Sequence, residues 1–179
     1  MIRRACIAFL FVASAAMAAD TGWLSPSAEY ASGCDQPTNA YSSNNARSAC
    51  LSTKTLCLAG FGAAVPDGAT INGIEISVEG NGTGLTAPDN PFSVAPAPDM
   101  TSDCGSPVAP VAVELNPSTD TTQTVGSSSS LWGLSWTASD VNAATFGVSG
   151  INSAEEATDQ IDQVRVKIYY ATGRSRRMF

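Results

Sequence analysis

Alternation of apolar and polar residues with a period of two is the feature that most restricts the fold of this chain. It runs through residues 74–78, 111–115 and 164–170, where every second side chain is apolar. Because successive side chains of a strand point to opposite faces, each run predicts a strand with one face in a core. Weaker runs predict further strands over residues 53–61, 92–95, 121–125, 131–136 and 146–151.

Short turn sequences separate these runs, and helical periodicity is nearly absent. Many short strands joined by turns predict an all-β protein, a single antiparallel β-sandwich that is jelly-roll-like, with at most one short helix. That helix is expected over residues 139–144, with Ser139 or Asp140 as its N-cap. Residues 86–110 contain six of the ten prolines. Since proline cannot donate to a ladder, we expect an edge strand or a long loop there, with a binding loop as the alternative.

The N-terminus has the pattern of an export signal. Arg3 and Arg4 precede an apolar run over residues 5–16, and Ala16-Met17-Ala18 fits a small-x-small cleavage site. The run is about 12 residues long, whereas a membrane span needs roughly 20, so no membrane span is expected. We therefore predict a signal peptide over residues 1–18, a β-sandwich domain over residues 19–172 and a basic tail over residues 173–179.

Cysteines support the same compartment. Cleavage removes Cys6 and leaves an even set of four, which in an exported protein predicts two disulfides. Four cysteines allow three pairings, which the sequence alone does not separate. The pairing we favour joins Cys34 to Cys50 across a polar loop, and Cys57 to Cys104 between an early strand and the proline-rich segment.

Charge and composition exclude several classes of function. The chain has 9 Lys and Arg against 16 Asp and Glu, a net charge of −7, which is the wrong sign for a nucleic-acid binder. It has no histidine, which excludes histidine-centred triads and histidine-based zinc sites. Glu75 and Glu79 share a strand face but should lie about 13 Å apart, too far for a glycosidase pair. We therefore expect no enzyme activity, although carboxylates from different strands could still meet in a cleft.

Two strings carry a resemblance to known domains. Residues 60–76 read GFGAAVPDGATINGIEI, and residues 131–136 read LWGLSW, followed by DVN at 140–142 and FGV at 146–148. With the closing strand from residue 161 onward, the layout resembles a largely uncharacterised group of β-sandwich domains in exported bacterial and phage-associated proteins. The resemblance covers residues 23–170. It implies a jelly-roll-like sandwich on a surface or outside the cell, and it implies no active site.

Trp132 and Trp136 are the candidate ligand platform. They are four residues apart, so a strand would place both indoles on one face, about 13 Å from each other, a spacing that suits a sugar chain. Leu134 lies between them on the same face, which favours a second interpretation in which both indoles belong to the core.

Carboxylates without cationic neighbours suggest calcium as the one candidate cofactor. No Lys or Arg occurs between Ala59 and Gln163. Calcium takes several oxygen ligands, and carboxylates supply them. The densest group in this interval is Glu155, Glu156, Asp159 and Asp162. The alternative is a solvated acidic surface that maintains solubility.

These observations predict a secreted or envelope-associated protein, located in the periplasm, on the cell surface or outside the cell. We expect it to have a non-enzymatic structural or adhesive role, with further copies of itself as partners in an oligomer or filament. The alternative function is a glycan-binding module, assisted by calcium, with a surface glycan as the partner.

Overall fold

The computed structural model describes residues 17–83, 91–104, 106–117, 119–153 and 158–173. Within these ranges the chain forms ten strands, two short α-helices and one 3-10 helix. Their order is β1 (Met17–Asp20), β2 (Ala28–Glu29), the 3-10 helix (Pro37–Ala40), β3 (Ser48–Leu51), β4 (Thr55–Ala59), β5 (Thr70–Thr83), β6 (Pro91–Ala97), α1 (Met100–Asp103), β7 (Val111–Glu114), β8 (Thr121–Gly126), α2 (Ala138–Asn142), β9 (Gly147–Asn152) and β10 (Thr158–Thr172).

The strands form two antiparallel sheets. Sheet 1 has the order β1-β10-β5-β8. On the side of β10 away from β5, β1 pairs with the C-terminal end of β10 and β3 pairs with its N-terminal end. Sheet 2 has the order β2-β4-β9-β6-β7. Strands β3 to β10 therefore form two four-stranded layers, β3-β10-β5-β8 and β4-β9-β6-β7, which is the topology of a jelly roll. This confirms the all-β antiparallel sandwich expected from the alternation.

The core lies between the sheets because most apolar side chains of the alternating strands face inward; Val111, at the start of β7, is an exception and is exposed. Ile74 and Ile76 of β5 and Val166 of β10 are fully buried, as are Phe92 of β6 and Phe146 before β9. Aromatic rings close one end of this core. Phe146 meets Phe61 and Trp136 edge to face, with centroid distances of 6.1 and 5.7 Å, an arrangement that favours the ring quadrupoles.

Two disulfides fasten the loops to the sheets, in the pairs that we favoured. Cys34 is joined to Cys50 of β3, with Cα atoms 4.4 Å apart. Cys57 of β4 is joined to Cys104 after α1, with Cα atoms 5.6 Å apart. Both separations are ordinary for a disulfide. The pair is compatible with an oxidising compartment.

One part of the proline-rich segment differs from the expectation, while residues 106–110 form a loop as expected and residues 86–90 and 105 lie outside the described residues. We expected an edge strand or loop over residues 86–110, but β6 (Pro91–Ala97) lies inside sheet 2, between β9 and β7. Pro91 is its first residue, where a ladder donor is least needed. Pro96 pairs with Val148 of β9, whereas the ladder with β7 ends at Val94. The interior strand tolerates Pro96 because only one neighbour is paired there.

Two local predictions are also wrong. Residues 131–136 form turns rather than a strand, because Trp132 and Gly133 have φ values of 56° and 72°, which no strand accepts. The helix begins one residue earlier than expected, and its N-cap is Thr137, not Ser139 or Asp140. The Thr137 side chain accepts from the Asp140 amide while the Asp140 carboxylate accepts from the Thr137 amide, so the two residues form a capping box.

At the N-terminus, β1 runs across the predicted cleavage position after Ala18 and pairs with the last four residues of β10. The predicted signal peptide and basic tail fall largely outside the described residues and stay predictions. Among the described helices, none has the length and hydrophobicity that crossing a bilayer requires.

Candidate interaction surfaces

The expected aromatic platform is not on the surface. Trp132 and Trp136 are only 5% and 8% exposed. The Trp132 indole donates to the carbonyl of Ile74 at 2.9 Å, and the Trp136 indole donates to the carbonyl of Leu131 at 3.0 Å. Both side chains fill the end of the sandwich and satisfy backbone oxygens there. The platform interpretation is therefore wrong, because neither indole offers a face on which a sugar could stack.

The structure describes two of the four carboxylates that were predicted to bind calcium. Glu155 and Glu156 lie outside the described residues, while Asp159 and Asp162 are buried on β10. Asp162 is the extra residue of a β-bulge opposite β5 and accepts a hydrogen bond from the Asn44 amide at 3.2 Å. Within the described ranges, no three acidic or cysteine side chains group as metal ligands. The four-carboxylate site stays a prediction.

Arg47 is a cation near Asp162, one of the four carboxylates predicted to bind calcium. It lies beside Asp120, Asp162 and Glu79 on the outer side of sheet 1. Its Nε donates to Asp120 Oδ1 at 3.1 Å, and a second guanidinium nitrogen contacts Asp120 Oδ2. Asn81 of β5 donates to the same carboxylate at 2.8 Å. This two-pronged contact fastens the segment between the 3-10 helix and β3 onto the start of β8.

The hydrogen bonds from Arg47 lower the pKa of Asp120 below its ordinary value of 3.8. A carboxyl with a depressed folded pKa stabilises the fold above its unfolded pKa, and the contribution disappears as pH falls through the folded pKa.

We expect Asp120→Asn to lower the free energy of unfolding by about 1 kcal/mol at pH 7, as for a favourable surface ion pair. Because acid also protonates the wild-type carboxyl, the difference should shrink steadily below about pH 4. Urea unfolding at pH 7, 5, 3 and 2 measures it. The exposed Asp67 gives a matched control, since Asp67→Asn removes one carboxylate from a turn. A difference that persists undiminished at pH 2 contradicts the assignment.

The outer face of sheet 1 carries a stack that the sequence analysis missed. The Trp23 ring lies 4.4 Å from Lys167 Nζ and 5.4 Å from the Arg165 guanidinium carbon, distances of cation–π contacts. Glu75 accepts from the Tyr169 hydroxyl at 2.9 Å and lies 3.9 Å from Lys167 Nζ. Burial, and then this hydrogen bond, raises the pKa of Tyr169. Within the stack, Lys167 thus contacts both the Trp23 ring and Glu75, and Glu75 also accepts from Tyr169.

Strand β8 forms one edge of sheet 1 in the described part of the chain. It pairs with β5 along one side from Thr121 to Gly126. Among the described residues no strand pairs with its other side. Its six residues include no charge and no proline. An edge strand of this kind presents a row of free backbone donors and acceptors to another strand.

The other sheet edges are shorter. The far edge of sheet 1 is formed by β1 and β3, which have four residues each, and single bridges place Leu24 and Tyr41 between them along β10. In sheet 2, β2 has two residues, and β7 has four and carries Glu114 between Pro110 and Pro117. Charges and prolines of this kind protect an edge from pairing. In the described part of the chain, β8 is thus the longest edge without such protection.

A groove lies beside β8, where the two sheets end. It has a volume of about 190 Å³ and is lined by Thr121 and Gln123 of β8 and by Glu114, Leu115 and Asn116 at the end of β7. Gln123 spans it and donates to the Glu114 carbonyl at 3.0 Å. The groove gives space beside the inward side chains of β8.

Sequence reasoning predicted β8 as a strand but not as an edge. Its lack of charge, in a chain with 16 acidic residues, was the available signal. Comparison with known proteins adds no function: no protein-family model, no curated protein and no solved structure matches the chain.

Proposed function

We propose that this protein is an exported, non-enzymatic β-sandwich that has a structural or adhesive role and acts by associating with copies of itself. The unprotected edge of β8 carries this proposal. Backbone groups on such an edge bind another strand without needing a pocket or a cofactor. The two disulfides support export to an oxidising compartment, such as the periplasm, the cell surface or the medium.

The character of the exposed surface supports association over chemistry. Trp132 and Trp136, the aromatic residues that suggested glycan binding, are in the core. On the outer face of sheet 1, Arg165 and Lys167 contact Trp23, and Arg47 contacts Asp120. The glycan-binding alternative has therefore lost the residues on which it depended.

Self-association is tested by sedimentation velocity of the purified, oxidised protein from about 1 µM to about 1 mM. We expect a concentration-dependent shift from monomer to a larger species. The double variant Thr122→Lys, Thr124→Lys places charge on the exposed face of β8, which natural edge strands use to prevent pairing. It should weaken association by tenfold or more while leaving the circular-dichroism spectrum unchanged.

A matched control has the same charge change elsewhere. Thr38 and Ser135 are exposed and lie outside the sheets, so Thr38→Lys, Ser135→Lys should associate as the wild type does. A wild-type protein that stays monomeric over the whole concentration range contradicts the proposed function. Equal weakening by both lysine pairs would show that the loss is not specific to β8 and would remove β8 from the proposal.

A further inference from the structure

We infer that β8 pairs antiparallel with β8 of a second copy, about a twofold axis at Gln123, so that sheet 1 continues from one molecule into the other. This inference rests on the proposed function and adds to it the contact surface, the register and the symmetry. It follows from which backbone groups of β8 are free.

The neighbouring hydrogen bonds show which backbone groups of β8 point outward. The Ile74 amide donates to the Ser130 carbonyl, and the Ile74 carbonyl accepts from Trp132, so the polar groups of Ile74 point toward the β8 side of β5. Backbone groups of a strand alternate in direction, so the amide and carbonyl groups of Ile76 and Val78 also point toward β8. Their partners are Val125 and Gln123. The amide and carbonyl groups of Thr122 and Thr124 therefore point away from the sheet.

The outward amide and carbonyl groups of β8 in one copy must lie opposite those of β8 in the other copy, which restricts the register of the pair. An axis at Gln123 places Thr122 opposite the partner's Thr124, so each of these pairs exchanges two hydrogen bonds. An axis at Thr124 would bring Gly126 into the ladder, where its φ of 86° is not that of a strand. An axis at Thr122 would place Asp120, already bound by Arg47, opposite the partner's Thr124. The axis at Gln123 uses only extended residues with free groups.

Side chains agree with this pairing. Thr122 and Thr124 are exposed on the outer face, and threonine pairs across strands are favourable. On the inner face, the partner's Gln123 would lie next to the groove of about 190 Å³, which gives it space. The contact is the same patch on both copies, so it closes as a dimer and does not propagate.

Charge sets the conditions for pairing. The chain has a net charge of −7, so two copies repel each other at a distance. The contact itself includes no charged side chain of β8. Salt screens the long-range repulsion and leaves the backbone hydrogen bonds in place. We expect the dimer to become tighter, by tenfold or more, between about 20 mM and 500 mM NaCl.

Cysteine cross-linking tests the register. In the inferred dimer, residue 123 lies opposite its own copy as a non-hydrogen-bonded pair, with Cα atoms about 4.5 Å apart, within the range for a disulfide. The variant Gln123→Cys should therefore form a covalent dimer under mild oxidation. Thr122→Cys and Thr124→Cys each lie two positions from their own copies, roughly 8 Å away, and should not cross-link alone. Non-reducing electrophoresis and peptide mass spectrometry read the linked position.

The possible outcomes distinguish a wrong β8–β8 register from a wrong proposal of self-association. Self-cross-linking of Thr122→Cys or Thr124→Cys in place of Gln123→Cys assigns a different axis and overturns the inference. Association without cross-linking of any β8 variant overturns the inference and leaves the proposed function intact, with another strand or surface as the contact. A monomeric protein overturns both. Ser135→Cys, which is exposed and outside the sheets, measures random collision and should give no covalent dimer.

Discussion

The Trp132→Ala variant is expected to unfold with a free energy about 3–5 kcal/mol below that of the wild type, the range for removing a large aromatic side chain from a core. The Trp132 side chain is 5% exposed, and its indole bonds to the Ile74 carbonyl at 2.9 Å. That carbonyl lies just beyond the last β5–β8 pair, Glu75 with Gly126. Alanine would leave both a cavity and an unsatisfied oxygen at the end of the sheet.

Two neighbouring variants separate the causes of this loss. Trp132→Phe keeps most of the apolar volume and removes the hydrogen bond, so it should cost about 1–3 kcal/mol. Leu131→Ala changes a side chain that is 36% exposed and should cost less than about 1 kcal/mol. Urea unfolding followed by fluorescence and far-ultraviolet circular dichroism measures all three. A loss below about 1 kcal/mol for Trp132→Ala would contradict the core position of the indole.

Alternation predicted the fold because it reports a physical requirement of a sandwich. A strand with the core on one side and water on the other must bury one row of side chains, and β10 does so at residues 164, 166 and 168. The same logic failed for residues 131–136, where Trp132 and Trp136 are buried without a strand. Burial of every second or fourth residue can come from turns, and the positive φ of Trp132 depends on contacts with β5 that local sequence does not encode.

The position of β8 in the sheet could not be predicted for a related reason. Strand order depends on pairing between distant segments: β5 pairs with β10 on one side and with β8 on the other. The composition of residues 121–126 predicted a strand, but nothing in it shows that one side is left unpaired. The interior position of β6 was missed in the same way, because the tolerance for Pro96 depends on where β7 ends. Local chemistry predicted the strands, whereas nonlocal pairing determines which of them are edges.

Removal of the Cys57–Cys104 disulfide is expected to cost about 4 kcal/mol, and removal of Cys34–Cys50 about 3 kcal/mol, from the loss of loop-closure entropy in the unfolded chain. The first disulfide closes a sequence separation of 47 residues and the second a separation of 16. The longer loop restricts the unfolded chain more, which sets the order of the two effects. The double variants Cys57→Ala, Cys104→Ala and Cys34→Ala, Cys50→Ala, compared by urea unfolding, measure them.

Loss of both disulfides should then remove about 7 kcal/mol, comparable with the whole stability of a typical domain, about 5–15 kcal/mol. We therefore expect the reduced protein to be largely unfolded at 37 °C, even though the oxidised fold has a complete jelly-roll core. Circular dichroism with and without a reductant, on wild type and both double variants, tests this expectation. The double variants serve as their own controls, since reduction should affect each of them only through its remaining disulfide. A reduced protein that keeps its native spectrum and unfolding midpoint would show that the packed sheets alone hold the fold.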